Sequence, residues 1–357
     1  MKKHRREQSS RDRLSRSADP ARPTGAGLFL RGLLASIALV PLAIACSAAP
    51  ATPPRPPEKK AHPPPTAILD AGTDAPEAAA AETAPPPPEP PRACPEEMVL
   101  IDGDYCTDLQ MTCLKSWYAP ENHKTICELF QEPTKCVGPK VKKRYCIDRY
   151  EYPNKKGSRP EVMNNFYQAQ VLCAKQDKRI CTETEWTMAC EGPAYKPYPY
   201  GYVRDSKKCN GDRLWDRPSK EKLWARDASE LERLWQGVVS GSQPECVSDY
   251  GVYDMPGNAD ELAANEHLDD HKYDNVTTGG PWYKGVRNQC RPKIYTHDEG
   301  FQYYYLSFRC CKETDGQPTD PRAPKQIKRG QAWDKIVWLS EHSLDLRPKK
   351  PAPQKAP

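Results

Sequence analysis

The sequence lacks a long apolar run. Its main apolar stretch, residues 32–45, is too short and too interrupted for a comfortable transmembrane helix. It also lacks the interleaved basic and aromatic residues that grip nucleic acid, and its net charge of +5 includes a basic leader that export would remove. Close cysteine pairs of the zinc-ligating kind are missing too, because only Cys310 and Cys311 are near neighbours. We therefore expect neither a nucleic-acid partner nor a cysteine-ligated zinc site.

Cysteine itself is abundant, with 15 residues in the chain. Setting Cys46 aside leaves 14, an even number, all between Cys94 and Cys311. Exported domains with this many cysteines generally carry disulfides. We therefore predict a disulfide-linked domain that is exported to an oxidising compartment.

The N-terminal region has the features of an export signal. Residues 1–45 combine a basic leader with the apolar stretch, and the sequence Ala-Ile-Ala-Cys at residues 43–46 resembles the lipobox of bacterial lipoproteins. We predict that Cys46 is lipidated and anchors the protein to a membrane; an ordinary cleaved signal peptide is the alternative. Residues 46–93, rich in Pro, Ala and Glu, bury too little apolar surface to fold and would form a disordered stalk.

The folded domain is predicted at residues 94–312, followed by a mostly disordered tail at 313–357. Thr182 and Glu185 form a capping box, which predicts a helix from residue 182. Residues 107–144 are polar and Lys-rich, and we expect a cysteine-stapled excursion with little regular structure there. Hydrophobic periodicity further predicts strands at 98–101, 145–152 and 303–311, a helix at 164–175 and an amphipathic segment at 220–238.

Four motifs, in order, resemble one family. They are RICTETEW at residues 179–186, GVYDMPGN at 251–258, GGPW at 279–282 and SFRC at 307–310. Together they resemble the signatures of the formylglycine-generating enzyme (sulfatase-modifying factor) family. The resemblance implies an α+β, C-type-lectin-like fold that is disulfide-rich and has little regular secondary structure. It also implies that Cys173 pairs with Cys310 and Cys190 with Cys290.

The turn at Pro256-Gly257 is followed by oxygen-bearing side chains that suit a hard cation such as Ca²⁺. The same residue types also cluster at ordinary solvated turns. The resemblance favours the first interpretation, since it implies a structural Ca²⁺ site that includes Asn258 and Glu261 and a second site that begins at Asn210.

The loop that carries chemistry in the family departs from the pattern. Family members that oxidise a sulfatase cysteine follow the Gly-Gly-Ser motif with a pair of copper-binding cysteines. Here Lys284 and Gln289 stand roughly where those thiols would be needed, and the implied pairing claims Cys290. Because thiolates are the ligands that suit Cu(I), we expect copper oxidase chemistry to be absent.

Two further groups of residues are candidate sites. Lys284, Arg287, Arg291 and His297 could line a groove for an anionic or sugar ligand. His267 and His271 would share a face if their segment is helical, as in some metal sites, but the pattern is short and lies in a polar loop, so a solvated surface turn is the preferred interpretation.

The sequence therefore predicts an exported lipoprotein that carries a non-catalytic binding or structural module. Its expected partners are a membrane, reached through the lipid anchor, and a protein, peptide or glycan ligand. The alternative is a metal-dependent oxidase that acts on protein cysteine or a small thiol.

Overall fold

The computed structural model describes residues 92–121, 123–267, 271–322 and 332–343. The chain divides into two units, residues 1–82 and 83–357, and all described residues belong to the second. The predicted signal peptide, Cys46 and almost all of the stalk lie outside the described residues. Within the described part of the chain, no helix is long and apolar enough to cross a membrane.

The described residues form short strands and helices joined by long irregular connections, as the α+β prediction requires. The strands are β1 (Met98–Cys106), β2 (Leu109–Gln110), β3 (Cys113–Ala119), β4 (Lys124–Phe130), β5 (Lys135–Cys136), β6 (Lys140–Asp148), β7 (Arg179–Ile180), β8 (Asp260–Ala264), β9 (Asn275–Thr278), β10 (Lys293–Ile294), β11 (Leu306–Phe308) and β12 (Cys310–Lys312). The helices are α1 (Phe166–Ala174), α2 (Glu183–Glu191), α3 (Lys220–Trp224), α4 (Ala228–Leu234) and α5 (Trp333–His342).

Two four-stranded sheets organise the domain. The first has the order β1-β6-β12-β7, and its antiparallel β1–β6 pair runs from Met98 opposite Asp148 to Cys106 opposite Lys140. The second has the order β10-β9-β8-β11, in which β11 runs parallel to β8. Strand β11 belongs to the second sheet and β12 to the first. Because only Arg309 separates them, these two consecutive strands connect the two sheets.

Two of the helices begin with capping boxes. Thr182 accepts a hydrogen bond from the Glu185 backbone N–H, and the Glu185 side chain accepts one from the Thr182 N–H, so the predicted start of α2 is observed. Asn165 and Gln168 make the same reciprocal pair at α1. Every residue of α2 is buried, which places this helix in the centre of the domain.

The prediction of little regular structure in the polar excursion was wrong, whereas the prediction for the tail stays a prediction because much of the tail lies outside the described residues. Residues 107–144 contain regular strands, because the β3–β4 hairpin is closed by the disulfide Cys113–Cys127 and buries Ile126. The tail contributes α5, whose Ile336 and Leu339 are buried.

Two segment boundaries also differ from the prediction. The amphipathic segment at 220–238 is two helices, because Arg226 adopts a positive φ of 53° and Asp227 caps α4. The predicted strand at 303–311 is likewise divided into β11 and β12 on either side of Arg309.

All 14 cysteines in the described part of the chain form disulfides. The seven pairs are Cys94–Cys146, Cys106–Cys136, Cys113–Cys127, Cys173–Cys310, Cys181–Cys311, Cys190–Cys290 and Cys209–Cys246. The two pairs implied by the family resemblance are among them. A domain with this many disulfides folds in an oxidising environment, as in the periplasm or outside the cell.

Candidate functional site

Glu261, one of the predicted calcium ligands, forms a buried ion pair with Arg309 in the centre of the domain. Arg309 donates to both carboxylate oxygens of Glu261, with Nη2–Oε1 at 2.6 Å and Nε–Oε2 at 2.7 Å. Trp186 Nε1 donates to Oε2 at 3.0 Å. Burial lowers the pKa of Arg309, but the Glu261 carboxylate outweighs this effect and raises it. Glu261 is thus already neutralised by a protein cation.

The other two predicted calcium ligands contact each other. The Asn258 Oδ1 accepts hydrogen bonds from the Val238 N–H at 2.8 Å and from Asn210 Nδ2 at 3.2 Å. The Asn258 Nδ2 donates to Glu151 Oε1 at 2.9 Å, and Asn210 Oδ1 accepts from Arg213 Nε at 3.1 Å. The structure therefore brings Asn258 and Asn210 together, but protein donors occupy their side-chain oxygens.

A glycine allows this close packing. Gly257 has a φ of +94°, a conformation that side chains other than glycine rarely adopt, and a Cβ added there would lie 2.7 Å from the Asn210 carbonyl oxygen. The Asn258 N–H donates to the same carbonyl at 2.8 Å. Gly257 is therefore required for the turn to reach Asn210.

Asp254 carries a buried carboxylate oxygen that remains available to a cation. Its Oδ2 accepts a hydrogen bond from the Gly241 N–H at 2.7 Å, whereas its Oδ1 has no partner although the residue is only 1% exposed. Burial raises the pKa of Asp254 to about 6. Burial, followed by the negative charges of Asp254 and Glu261, also raises the pKa of Glu151 well above its usual value. A cation at Asp254 would relieve this repulsion.

No cluster of three metal-ligating side chains is present in the described ranges. Counting His, Cys, Asp and Glu, no three of them are arranged so that they could hold a metal ion together. Of the three predicted calcium ligands, none offers a side-chain oxygen without a protein donor. The predicted ligand set therefore fits Ca²⁺ poorly, and Asp254, which the sequence analysis missed, fits it better.

The cations of the predicted groove are engaged by carboxylates. Arg287 forms a bidentate pair with Asp260, with both N–O distances at 2.8 Å. Arg291 pairs with Glu191 and Lys284 with Glu121, with Arg291 Nη2 2.9 Å from Glu191 Oε2 and Lys284 Nζ 2.7 Å from Glu121 Oε1. A free anion would have to displace these partners.

His297, the fourth predicted groove residue, packs against an aromatic ring. Its ring stacks on Phe301 with the centroids 3.7 Å apart, and burial lowers its pKa. The neutral imidazole is thereby favoured. Since the other three residues of the predicted groove are paired with carboxylates, these four residues do not form the unpaired positive surface that an anionic ligand would need.

The loop that would carry the copper thiols has none. Lys284 lies 5.3 Å from the ring centroid of Trp117, and Gln289 is buried, with its N–H donating to the Arg287 carbonyl. Cys290 is bonded to Cys190. Since every cysteine between residues 94 and 311 is in a disulfide, the domain offers no thiolate to a soft metal.

A cavity of about 610 Å³ lies between α1, α5 and residues 298–303. Its walls are largely apolar and include Tyr167, Trp224, Phe301 and Leu339. The charged residues that line it are Asp298 and Glu299, both acidic. The sequence analysis missed this cavity because α5, which supplies Leu339, lies in the predicted disordered tail.

These features define a disulfide-rich α+β domain of the formylglycine-generating-enzyme type with a thiol-free loop. The family described as "Sulfatase-modifying factor enzyme 1-like domain" matches residues 121–314, which is more than half of the chain. The chain therefore belongs to this family.

One curated relative is the "Inactive C-alpha-formylglycine-generating enzyme 2" of Bos taurus. It is 29% identical over 126 residues, which cover 34% of this chain and 38% of the relative. The chain thus aligns with well under half of the length of that relative, so the similarity concerns part of each protein.

Two solved structures are similar at lower sequence identity. One is CarF, with 13% identity and a TM-score of 0.41, covering 62% of this chain and 99% of that chain. The other is PvdO from Pseudomonas aeruginosa, with 17% identity and a TM-score of 0.37, covering 60% and 94% respectively.

Proposed function

We propose that this domain is a non-catalytic binding module. The observation that carries the proposal is the thiol-free loop, in which Lys284 and Gln289 stand roughly where the copper-binding cysteines would be needed. The disulfide bonding of all cysteines in the domain removes any alternative thiolate ligand there. The relative whose name marks it as inactive supports the same conclusion.

An oxidase assay tests the absence of catalysis. The full chain is loaded with Cu(I) and mixed with a Cys-containing sulfatase peptide, and oxygen consumption and peptide oxidation are measured. We expect no turnover above the copper-only background. Turnover that depends on the protein would overturn the proposal in favour of the metal-dependent oxidase.

We further propose that the cavity is the ligand site and that its ligand is an extended peptide with apolar and basic side chains. A volume of about 610 Å³ lies in the usual range of ligand sites. Its apolar walls favour aliphatic or aromatic groups, and Asp298 and Glu299 are complementary to Lys or Arg on the ligand.

The peptide proposal is tested with two exposed tryptophans. Trp224, 60% exposed, lines the cavity, whereas Trp215, 50% exposed, does not. Fluorescence anisotropy would compare fluorescent peptides with identical apolar residues but either Lys or Glu between them. We expect the basic peptides to bind, Trp224→Ala to abolish this binding and Trp215→Ala to leave it unchanged.

Charge variants and a glycan array complete this test. Asp298→Asn with Glu299→Gln should weaken the basic peptide and remove its salt dependence. Equal binding of acidic and basic peptides, or binding of glycans alone, would overturn the proposed peptide chemistry.

We also propose that Cys46 anchors the domain to a membrane through a lipid and that residues 46–93 hold it off the surface. The lipobox-like sequence at residues 43–46 and the proline-rich composition support this. Mass analysis of the mature N-terminal peptide tests it. A diacylated or triacylated Cys46 is expected, and an unmodified or missing Cys46 would overturn the anchor.

Calcium is proposed as a structural ion bound through Asp254. Its unpartnered Oδ1 would supply a hard oxygen ligand in the interior, and the ion would offset the repulsion between Asp254 and the neighbouring Glu151 carboxylate. Ca²⁺ added to EDTA-treated protein should raise the melting temperature, and Asp254→Asn should abolish the increase. An unchanged melting temperature in the wild-type chain would overturn this proposal.

A further inference from the structure

A buried carboxylate at the start of α2 organises a separate group of side chains. Glu183 is 1% exposed. Its Oε1 lies 2.8 Å from His267 Nδ1 and accepts a hydrogen bond from the Glu266 N–H at 2.8 Å. Its Oε2 accepts from the Tyr295 hydroxyl at 2.5 Å. The carboxylate therefore fixes both a histidine and a tyrosine.

A second histidine is held by the same group. The His271 N–H donates to the His267 carbonyl at 3.0 Å. The His271 ring stacks on the Tyr295 ring, with the centroids 3.7 Å apart and the planes 12° from parallel. Glu183 thus positions His267 directly and His271 through Tyr295.

The hydrogen bond to Glu183 determines which nitrogen of His267 can bind a ligand. In the neutral ring, Nδ1–H donates to the carboxylate and leaves the Nε2 lone pair for a ligand. The His267 side chain is 51% exposed, so a small ligand can reach it. His271 also has two ring nitrogens, so one can coordinate while the other keeps a different contact.

We propose that His267 and His271 bind a divalent transition-metal ion, with Glu183 as the residue that positions His267. Imidazole nitrogens suit Zn²⁺, Ni²⁺ and Cu²⁺, and two histidines at positions i and i+4 are a recurrent metal-binding pair. A metal-bound histidine usually donates its other N–H to a carboxylate or carbonyl, as His267 does to Glu183. Water completes the coordination, because among the described residues no third His, Cys, Asp or Glu forms a metal-binding group with this pair.

The surroundings favour a positioned site over an ordinary solvated turn. A surface turn needs no buried carboxylate, yet Glu183 has three donors converging on it. Glu266, beside His267, is itself held by Thr184 and lies 3.6 Å from Lys143. These contacts fix the backbone before His267 and reduce the ordering that a metal would impose.

The charges near the site do not prevent binding. Lys293 is a neighbouring cation, but its Nζ donates to the Arg291 carbonyl at 3.1 Å. Burial also lowers the pKa of Lys293. The Glu183 and Glu266 carboxylates face the same region and offset its charge.

Isothermal titration calorimetry of EDTA-treated full-length protein at pH 7.5, with Zn²⁺, Ni²⁺ and Cu²⁺ added separately, tests the proposal. We expect one site for at least one of these ions, lost in His267→Ala and in His271→Ala. Glu183→Gln should weaken binding by roughly 10-fold to 100-fold. His297→Ala is the matched control, because His297 also stacks on an aromatic ring, but on that of Phe301.

This calorimetric test does not depend on whether the domain is catalytic or on whether it binds calcium. His267 is exposed, so its alanine variant should keep the wild-type circular dichroism spectrum, and Ca²⁺ should not compete with the transition metal. The proposal is wrong if no ion binds stoichiometrically, or if binding survives in both histidine variants.

Discussion

Arg309 and Glu261 form a bidentate ion pair in which both side chains are fully buried. Removing one member leaves the other charge buried without compensation, which typically costs about 3–5 kcal/mol. We therefore expect Arg309→Met to lower the free energy of unfolding by about that amount. Urea unfolding at pH 7, followed by tryptophan fluorescence, measures the change.

A double variant separates the buried charge from the packing. Arg309→Met combined with Glu261→Gln removes both charges, so it should be more stable than Arg309→Met alone. If the single variant loses less than about 1 kcal/mol, the pair is not desolvated as the structure indicates.

Features that depend on residues close together in the sequence could be predicted, whereas features that depend on contacts between distant residues could not. The start of α2 could be predicted because Thr182 and Glu185 are three residues apart and satisfy each other. Arg309 and Glu261 are 48 residues apart, and nothing in either segment identifies the partner. The α5 helix was missed because its short apolar pattern is stable only when packed on the domain.

The sequence likewise indicated some residues of the candidate site but not the contacts that they make. The family resemblance assigned Asn258 and Asn210 to two different calcium sites, whereas in the structure their side chains contact each other and protein donors occupy their oxygens. Asp254 carries no signal that separates it from any other turn residue, since its unpartnered oxygen exists only in the folded structure. The cavity could not be predicted without α5, because Leu339 of that helix forms part of its wall.

The decrease in the free energy of unfolding at acid pH should depend on Glu185. Burial raises the pKa of this carboxyl, but Arg179, bonded to it at 2.7 and 2.8 Å, outweighs burial and lowers the pKa. A depressed folded-state pKa stabilises the fold above the unfolded pKa of about 4.3, and this stabilisation is lost as the pH falls below it.

Glu185→Gln tests this contribution. The variant should be less stable at pH 7, and its free energy of unfolding should fall less steeply than that of the wild type between pH 5 and pH 3. Urea unfolding at several pH values provides the comparison. Parallel profiles for the two proteins would contradict the assignment.

Two disulfides link nearly the same parts of the chain and should not act additively. Cys173–Cys310 and Cys181–Cys311 have sequence separations of 137 and 130 residues. When either pair remains, the other closes only a short additional loop. Chain-entropy arithmetic therefore predicts that losing both pairs costs about 2 kcal/mol more than the sum of the separate losses.

Alanine variants of each pair and of all four cysteines would measure this excess by urea unfolding. Losses that add within about 0.5 kcal/mol would contradict shared loop closure. The pair Cys113–Cys127, which closes its own hairpin, is the control and should combine additively with either long-range pair.

The α5 helix should detach without unfolding the domain. It lies outside the matched family region at 121–314 and packs on α1, where Asn165 Nδ2 donates to Ser343 Oγ at 2.6 Å. Its docking buries Ile336 and Leu339, so a charge at either position opposes docking but leaves the disulfide-linked core intact. Ile336→Asp should therefore expose α5 to chymotrypsin while the main thermal transition stays near that of the wild type.

Trp338→Asp is the matched control, because Trp338 is 47% exposed on the same helix and its replacement should leave α5 docked. The Ile336 variant should also lose binding to the cavity, since undocking removes the wall that contains Leu339. If Ile336→Asp unfolds the whole domain, α5 is part of the cooperative core. If cleavage of α5 is unchanged while the domain stays folded, the docking seen here does not depend on Ile336.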